Sequence, residues 1–160
     1  GKIEIFSKRL YDMQHPEIPA LSHYVPAHEG PEDELAKTFP LQLITWKGKN
    51  RANSTQYANP WLIEAQQQKL WINPQDAQKR GIAQGDTVRI HNARGICEIP
   101  AEVTPRIIPG VVAMQAGAWW QPDEKGIDKG GCANVLSSAR ITALAKGNSH
   151  QTMLVEVAKA

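Results

Sequence analysis

The stretch LWINPQDAQKRGIAQGDTVRIHNARGICEIPAEV, running from Leu70 to Val103, decides how this chain is read. Leu70 to Ile72 is a short apolar run that reads as a strand. Asn73-Pro74 then sets an N-capping side chain before a proline at the first helical position, and Gly81 supplies the left-handed residue that closes the helix. Gly85-Asp86 marks a turn. Thr87 to His91 forms a strand with Val88 and Ile90 inward, and Ala93-Arg94-Gly95 turns the chain into a further strand ending near Val103. A doubly wound sheet needs helices of about ten residues or more between most strands, and this stretch has room only for shorter ones.

The same grammar extends outward. Pro105, Pro109 and Gly110 make a connection, Val111 to Gln115 reads as a fully buried strand, and Thr152 to Val157 supplies the last strand. Upstream, Asn59-Pro60 repeats the capped-helix signal, carrying Trp61, Leu62 and Ala65 inward and stopping by Gln68. Leu41, Leu43 and Thr45 alternate with Gln42 and Ile44 as a buried strand does, and a polar loop follows from Trp46 to Asn59. Lys2 to Phe6 alternates as a short strand, with Ser7 capping a helical turn through Tyr11. From Gln14 to Lys37 the prolines and the acidic run Glu29 to Glu34 predict a connector lying over a surface. Two parts follow: residues 1–38, a connector with an N-terminal strand, and residues 39–160, a compact domain. About seven short strands and two or three short helices make the fold mainly β, a mixed and partly closed β-barrel. The stretch from Gly117 to Ser149 is too long to be idle connection.

Composition removes several function classes. The chain has 160 residues, 41% hydrophobic and 21% charged, which suits one ordinary globular domain. Eighteen Lys and Arg against 16 Asp and Glu leave a formal charge of +2, too little for a dedicated nucleic-acid binder. No apolar run reaches the length of a membrane span, and the amino terminus does not resemble a signal peptide. It begins at Gly1 rather than Met, which fits processing or excision from something longer and leaves export open. Cys97 and Cys132 lack partners at metal-ligand spacing, so an iron–sulfur cluster or zinc ribbon is not expected, nor is a disulfide between them. His23 and His28 stand beside Glu29 and Glu32, but Pro19, Pro26 and Pro31 make a solvated loop the better reading than a metal cluster. There is no Walker loop and no Gly-x-Gly-x-x-Gly after a strand. Gly85-Asp86-Thr87 fails as an aspartic protease motif because Val88 stands where glycine is needed. No Gly-Ser dipeptide exists for a self-cleaving pyruvoyl enzyme, and no Ser, His and acid share a nucleophile context.

Two stretches carry candidate chemistry. Thr45, Lys47, Lys49, Asn50, Arg51, Asn53, Ser54 and Thr55 gather cations, hydroxyls and amides within eleven positions, the mixture that holds a pyrophosphate and a heterocycle edge. A plain solvated basic loop is the competing reading. Gly117-Ala-Trp-Trp-Gln121 and Gly130-Gly-Cys-Ala-Asn134 combine glycines that admit a ligand to the backbone, flat apolar walls and an amide. Here the competitor is a glycine-rich lid over core tryptophans. Asp76 has the chemistry to bind a guanine edge, but three residues after an N-cap it is better placed for capping. If Lys47, Arg51 and Ser54 surround an anion, their loop should be exposed and mobile without it.

Taken in order, Phe39-Pro-Leu-Gln-Leu-Ile-Thr45, Asn53-Ser54, Ile72-Asn-Pro-Gln-Asp-Ala77, Arg80 to Val88, Asn92-Ala-Arg-Gly95, Pro109-Gly-Val-Val112, Gly117-Ala-Trp119 and Asn134-Val-Leu136 resemble the carboxy-terminal domain of molybdopterin-dinucleotide oxidoreductases of the dimethyl sulfoxide reductase family. The resemblance spans residues 39 to 157. Gly1 to Phe6 resembles the strand preceding that domain, so residues 1–38 would be the remnant of the preceding one. Gly130-Gly-Cys-Ala-Asn134 and Lys146-Gly-Asn148 look most like anaerobic dimethyl sulfoxide and selenate reductase catalytic subunits.

This resemblance implies a six-stranded double-psi β-barrel, of the aspartate-decarboxylase-like kind, closing over two molybdopterin guanine dinucleotides (bis-MGD) with their molybdenum. By position it implies cofactor contacts at Thr45, Lys47, Ser54, Trp119 and Asn134, with Asn53 beside them. Relatives often carry histidine where Lys47 and Asn53 stand. It also implies that the molybdenum ligand and the cluster cysteines lie in other domains of the subunit, and that this chain is a fragment, inactive and cofactor-free by itself. An iron–sulfur subunit, a membrane-anchor subunit and a periplasmic location are implied as well. Two other classes compete: a stand-alone double-psi barrel acting as a protein-interaction module, and a single-strand nucleic-acid barrel using Trp46 with Lys47, Lys49 and Arg51. The first leaves the Asn53-Ser54 loop and Gly117-Ala-Trp119 without a role, and the near-neutral charge counts against the second.

Overall fold

The computed structural model describes residues 1–148 and 151–160. Six strands form its body: β1 (Leu41–Trp46), β2 (Leu70–Ile72), β3 (Thr87–His91), β4 (Ile96–Val103), β5 (Val111–Gln115) and β6 (Met153–Lys159). They close into a barrel in the order β1-β5-β2-β4-β3-β6, which is the double-psi barrel implied above. The pairs β1·β5 and β2·β4 run parallel, with Leu43 opposite Val112 and Trp71 opposite Glu102, and the other four pairs are antiparallel. Three helices, α1 (Lys8–Met13), α2 (Pro60–Ala65) and α3 (Pro74–Lys79), lie outside the strands, with 3₁₀ turns at Glu34–Lys37 and Ala133–Leu136.

The period-2 pattern explains the interior. Leu41 and Leu43, Leu70 and Ile72, Val88 and Ile90, Cys97 and Ile99, Val112 and Met114, and Met153, Val155 and Val157 all point inward and are buried. Closure removes the sheet edges, so every strand is hydrogen-bonded on both sides. Gly81 closes α3 at φ +64°, and Gly85 turns into β3 at φ +83°.

Two expectations fail. Residues 2–6 form no strand: Phe6 makes a single bridge to Leu21, and Ile3 and Ile5 are exposed, because alternation alone supplies no pairing partner. Trp61 and Ala65 do not face inward. Of the apolar residues in α2 only Leu62 is partly covered, and Trp61 is 80% exposed. The connector is anchored to the body at a buried residue. Glu29 enters the body at 2% exposure and forms a two-pronged ion pair with Arg94, at 2.8 and 2.7 Å. The helical turn after Ser7 does form, with the Ser7 hydroxyl accepting from the Leu10 N–H, and it continues to Met13.

Asp76 is no cap. The cap of α3 is Asn73, whose side chain accepts from the Gln75 N–H, while buried Asp76 accepts from the Gly110 N–H at 2.6 Å and ties the helix to the entry of β5. That engagement also removes its carboxylate from any guanine-binding role.

Candidate functional site

β1 and β5 are parallel neighbours, so their carboxy-terminal ends deliver two loops to the same rim of the barrel. There the Ala116 N–H donates to the Trp46 carbonyl, continuing the pair beyond the strands. The segment Cys132–Asn134 and the start of β6 complete a cleft of about 380 Å³. Thr45, Lys47, Asn53, Ser54 and Asn134 all line it. Two stretches of chain far apart in sequence thus bring five of the six residues expected for the site to one surface.

Trp119 does not line the cleft. Its indole N–H donates to the Ser54 carbonyl at 3.0 Å and its ring lies 5.9 Å from that of Tyr57, so it braces the loop from behind. The Lys47 ammonium hydrogen-bonds the Asn53 side-chain oxygen. At Thr45 the contact is more specific. The Gln151 carboxamide accepts from the Thr45 N–H at 2.7 Å and donates to its carbonyl at 3.0 Å and its hydroxyl at 2.9 Å. A planar donor-and-acceptor edge therefore already satisfies the rim of this cleft. Nearby, the indole N–H of cleft-lining Trp46 is buried with no partner among the described residues.

The polar loop is better ordered than loose cations should be. Arg51 bonds the side-chain oxygens of Gln68 and Gln115 and lies over the Tyr57 ring, 5.1 Å from its centroid. Arg51 is thus a brace through its Nη2, while its buried Nη1 has no partner among the described residues. Asn50 donates to the Leu62 carbonyl at 2.8 Å, which fastens the loop to α2. Lys47, Asn53 and Ser54 are exposed, as expected, while Arg51 and Asn50 are tied to neighbouring segments.

The glycines tell a similar story. A Cβ on Gly48 would meet the Gln115 side chain at 1.3 Å, one on Gly117 the Asn53 carbonyl at 1.9 Å, and one on Gly130 the Trp119 carbonyl at 2.1 Å. Gly117 also requires φ +92°. They admit neighbouring loops to one another and not a ligand to the backbone. Tyr57 donates to the Gly130 carbonyl at 2.8 Å, and Gln68 donates to the carbonyls of Gln115 and Gly131 at 2.8 and 3.0 Å.

Cys132 lines the cleft while Cys97 lies beneath, and both are free. Burial pushes both thiols up, Cys97 further because it lies deeper, and the Asp128 carboxylate adds to the rise at both, so neither is a thiolate nucleophile near neutral pH. Among the described residues no group of three or more His, Cys, Asp or Glu is arranged to hold a metal ion. Hydroxyl, amide and ammonium groups of Thr45, Ser54, Asn53, Asn134 and Lys47 face the cleft together.

Sequence reasoning passed over Gln68, Gln115, Gln151 and Asp128. Gln115 had a signal, an amide ending an otherwise apolar buried run, and it is 1% exposed. The other three stand in polar segments where nothing local distinguishes them.

The polar cleft on the rim of the closed barrel has the volume of a small-molecule site. Residues 41–154 match the family described as "Molydopterin dinucleotide binding domain", and the chain belongs to that family. It is 51% identical to the dimethyl sulfoxide reductase DmsA of Escherichia coli (strain K12), over 99% of this chain and 20% of that protein. It is 36% identical to the dimethyl sulfoxide/trimethylamine N-oxide reductase of Rhodobacter capsulatus, again over 99% of this chain and 20% of that protein. The chain thus spans about a fifth of the length of these relatives. The acetylene hydratase of Pelobacter acetylenicus shares the fold with a TM-score of 0.76 at 17% identity, over 99% of this chain and 23% of that one.

Proposed function

We propose that this chain closes over molybdopterin guanine dinucleotide, in the bis-MGD form with molybdenum, within the catalytic subunit of an oxidoreductase that reduces S-oxides or selenate. One observation carries the reading: the cleft rim at Thr45 pairs with a planar amide edge, the pattern that the lactam edge of a pterin or guanine presents. Lys47 supplies a cation, Ser54 a hydroxyl and Asn134 an amide around the same space, which suits a phosphate-bearing heterocycle. The orphaned Trp46 N–H adds an unused donor. When bound, the group supplies the two-electron redox centre. The residues here hold and orient it.

The names of the relatives favour an S-oxide or N-oxide over selenate as substrate. The same reading includes the remaining domains of the subunit, an iron–sulfur subunit, a membrane-anchor subunit and a periplasmic location. Its test is the molybdenum and guanine nucleotide content of the full-length subunit carrying Lys47→Ala or Ser54→Ala, beside urea melts. Both variants should lose cofactor, each contact to a charged group being worth roughly 1.5 to 3 kcal/mol, while stability stays within about 0.5 kcal/mol. Parent-level molybdenum with a large stability loss would make the loop structural and sink the reading. Parallel assays with dimethyl sulfoxide, trimethylamine N-oxide and selenate separate the substrates.

A further inference from the structure

The cleft wall that carries Asn134 is a 3₁₀ turn of four residues, too short to hold its own position. Two buried carboxylates stand at its two ends. Before it, Asp128 is fully buried and receives four main-chain N–H groups: Gln121 at 2.8 Å and Gly130 at 3.2 Å on one oxygen, Gly131 at 2.9 Å and Cys132 at 2.7 Å on the other. Asp128 is itself fixed to β4, since its N–H donates to the Ile96 carbonyl and its carbonyl accepts from the Glu98 N–H. After the turn, the Leu136 carbonyl accepts from Arg94 Nε at 2.9 Å, Arg94 Nη2 at 2.7 Å and Asn92 Nδ2 at 2.8 Å. Arg94 is held in that pose by Glu29, whose carboxylate takes both terminal guanidinium nitrogens at 3% side-chain exposure. Gly95 lets the β3–β4 hairpin press on the turn, for a Cβ there would lie 2.7 Å from the Val135 carbonyl.

The geometry points to Asp128 and Glu29 as positioning residues that clamp the Asn134 wall from both ends, Asp128 through the preceding N–H groups and Glu29 through Arg94. This rests on the cofactor reading only for its functional consequence. The chemistry asks for carboxylates at both places. Four N–H donors converge on Asp128, and an asparagine would turn its own NH₂ toward them. The planar fork of Arg94 matches two acceptor oxygens, and that two-pronged pairing fixes its orientation at the Leu136 carbonyl. Glu29 comes from the connector, so a segment that seemed a passive strap sets one end of the binding surface. Binding constellations need support to within about half an ångström, and a four-residue turn without both anchors lacks it.

The experiment compares Asp128→Asn, Glu29→Gln, Ser54→Ala and Asn134→Ala in the full-length subunit, reading hydrogen exchange by peptide and molybdenum per polypeptide. With Asp128→Asn, exchange at residues 130–132 should accelerate roughly tenfold or more, the scale of one lost bond to a charged group, while the β1–β6 peptides keep parent rates. Glu29→Gln, the milder variant, should loosen residues 134–137 and leave 130–132 protected. Molybdenum should fall several-fold in both. Acceleration of strand peptides in step with the wall would mean the carboxylates serve the whole fold, and unchanged wall peptides would mean they hold nothing; either overturns the proposal. If Ser54→Ala and Asn134→Ala deplete molybdenum while a loosened wall does not, the clamp is also overturned. If none of the four variants depletes molybdenum yet the wall peptides loosen selectively, the clamp stands and the cofactor reading fails.

Discussion

Helices α2 and α3 begin with the same two residues and end differently placed. Asn59-Pro60 and Asn73-Pro74 both put an asparagine at the N-cap, accepting from the second following N–H at 3.1 and 2.9 Å, and a proline in the first turn. Each helix runs six residues. The apolar one, Pro-Trp-Leu-Ile-Glu-Ala, buries no residue, whereas the polar one, Pro-Gln-Asp-Ala-Gln-Lys, buries Asp76 and Ala77. Hydropathy ranks them the wrong way round. Capping is a local event between a side chain and an N–H two residues on, while burial depends on what the rest of the chain brings alongside. For α3 that partner is the β4–β5 connection, where Asp76 meets Gly110 and the Asn73 amide donates to the Ile107 carbonyl at 2.7 Å. For α2 the tie outside its own turn, among the described residues, is Asn50 on the Leu62 carbonyl.

Four substitutions sharpen or break that contrast in urea melts of the chain. Asp76→Ala should have the largest effect, about 2 to 3 kcal/mol, because it removes a bond to a charged group and strands the Gly110 N–H. Asn73→Ala should follow at about 2 kcal/mol, roughly half from the cap and half from the Ile107 carbonyl left without its donor. Asn59→Ala removes a cap of the same kind with no tertiary bond attached, so about 0.5 to 1 kcal/mol is expected. Trp61→Ala should lie within about 0.5 kcal/mol, as exposed changes do. Equal losses at Asn59 and Asn73 would show that capping alone sets the stability of both helices. A large loss at Trp61 would place α2 against the body after all.

The site shows the same division at loop scale. Thr45, Lys47, Asn53, Ser54 and Asn134 were legible because their chemistry is unusual for their neighbourhoods, a cluster of cations and amides after a buried strand and an amide after paired glycines. The work of Arg51, Gly117 and Gly130 was misread from the same stretches. A cation in a polar loop looks free until Gln68 and Gln115 are seen beside it, sixty-four positions separating Arg51 from Gln115. A glycine looks like room for a ligand until the Asn53 and Trp119 carbonyls fill that room. Asp128 had no local signal at all, since three of its four donors lie within four residues but the reason for burying it is the barrel above.

What the amino-acid sequence determined alone was everything governed by neighbours a few positions apart. Strand alternation placed Leu43, Val88 and Ile90 inward, asparagine before proline started α2 and α3, and Gly81 ended α3 at a positive φ. Those interactions depend on side-chain type and spacing, which are written in the chain. The tertiary structure decided which capped helix is buried, which loops meet, that residues 2–6 find no strand partner, and that Glu29 leaves the connector to hold Arg94. Each of those depends on groups that sequence spacing leaves far apart, 65 positions between Glu29 and Arg94, and only closure of the barrel brings them within hydrogen-bond reach.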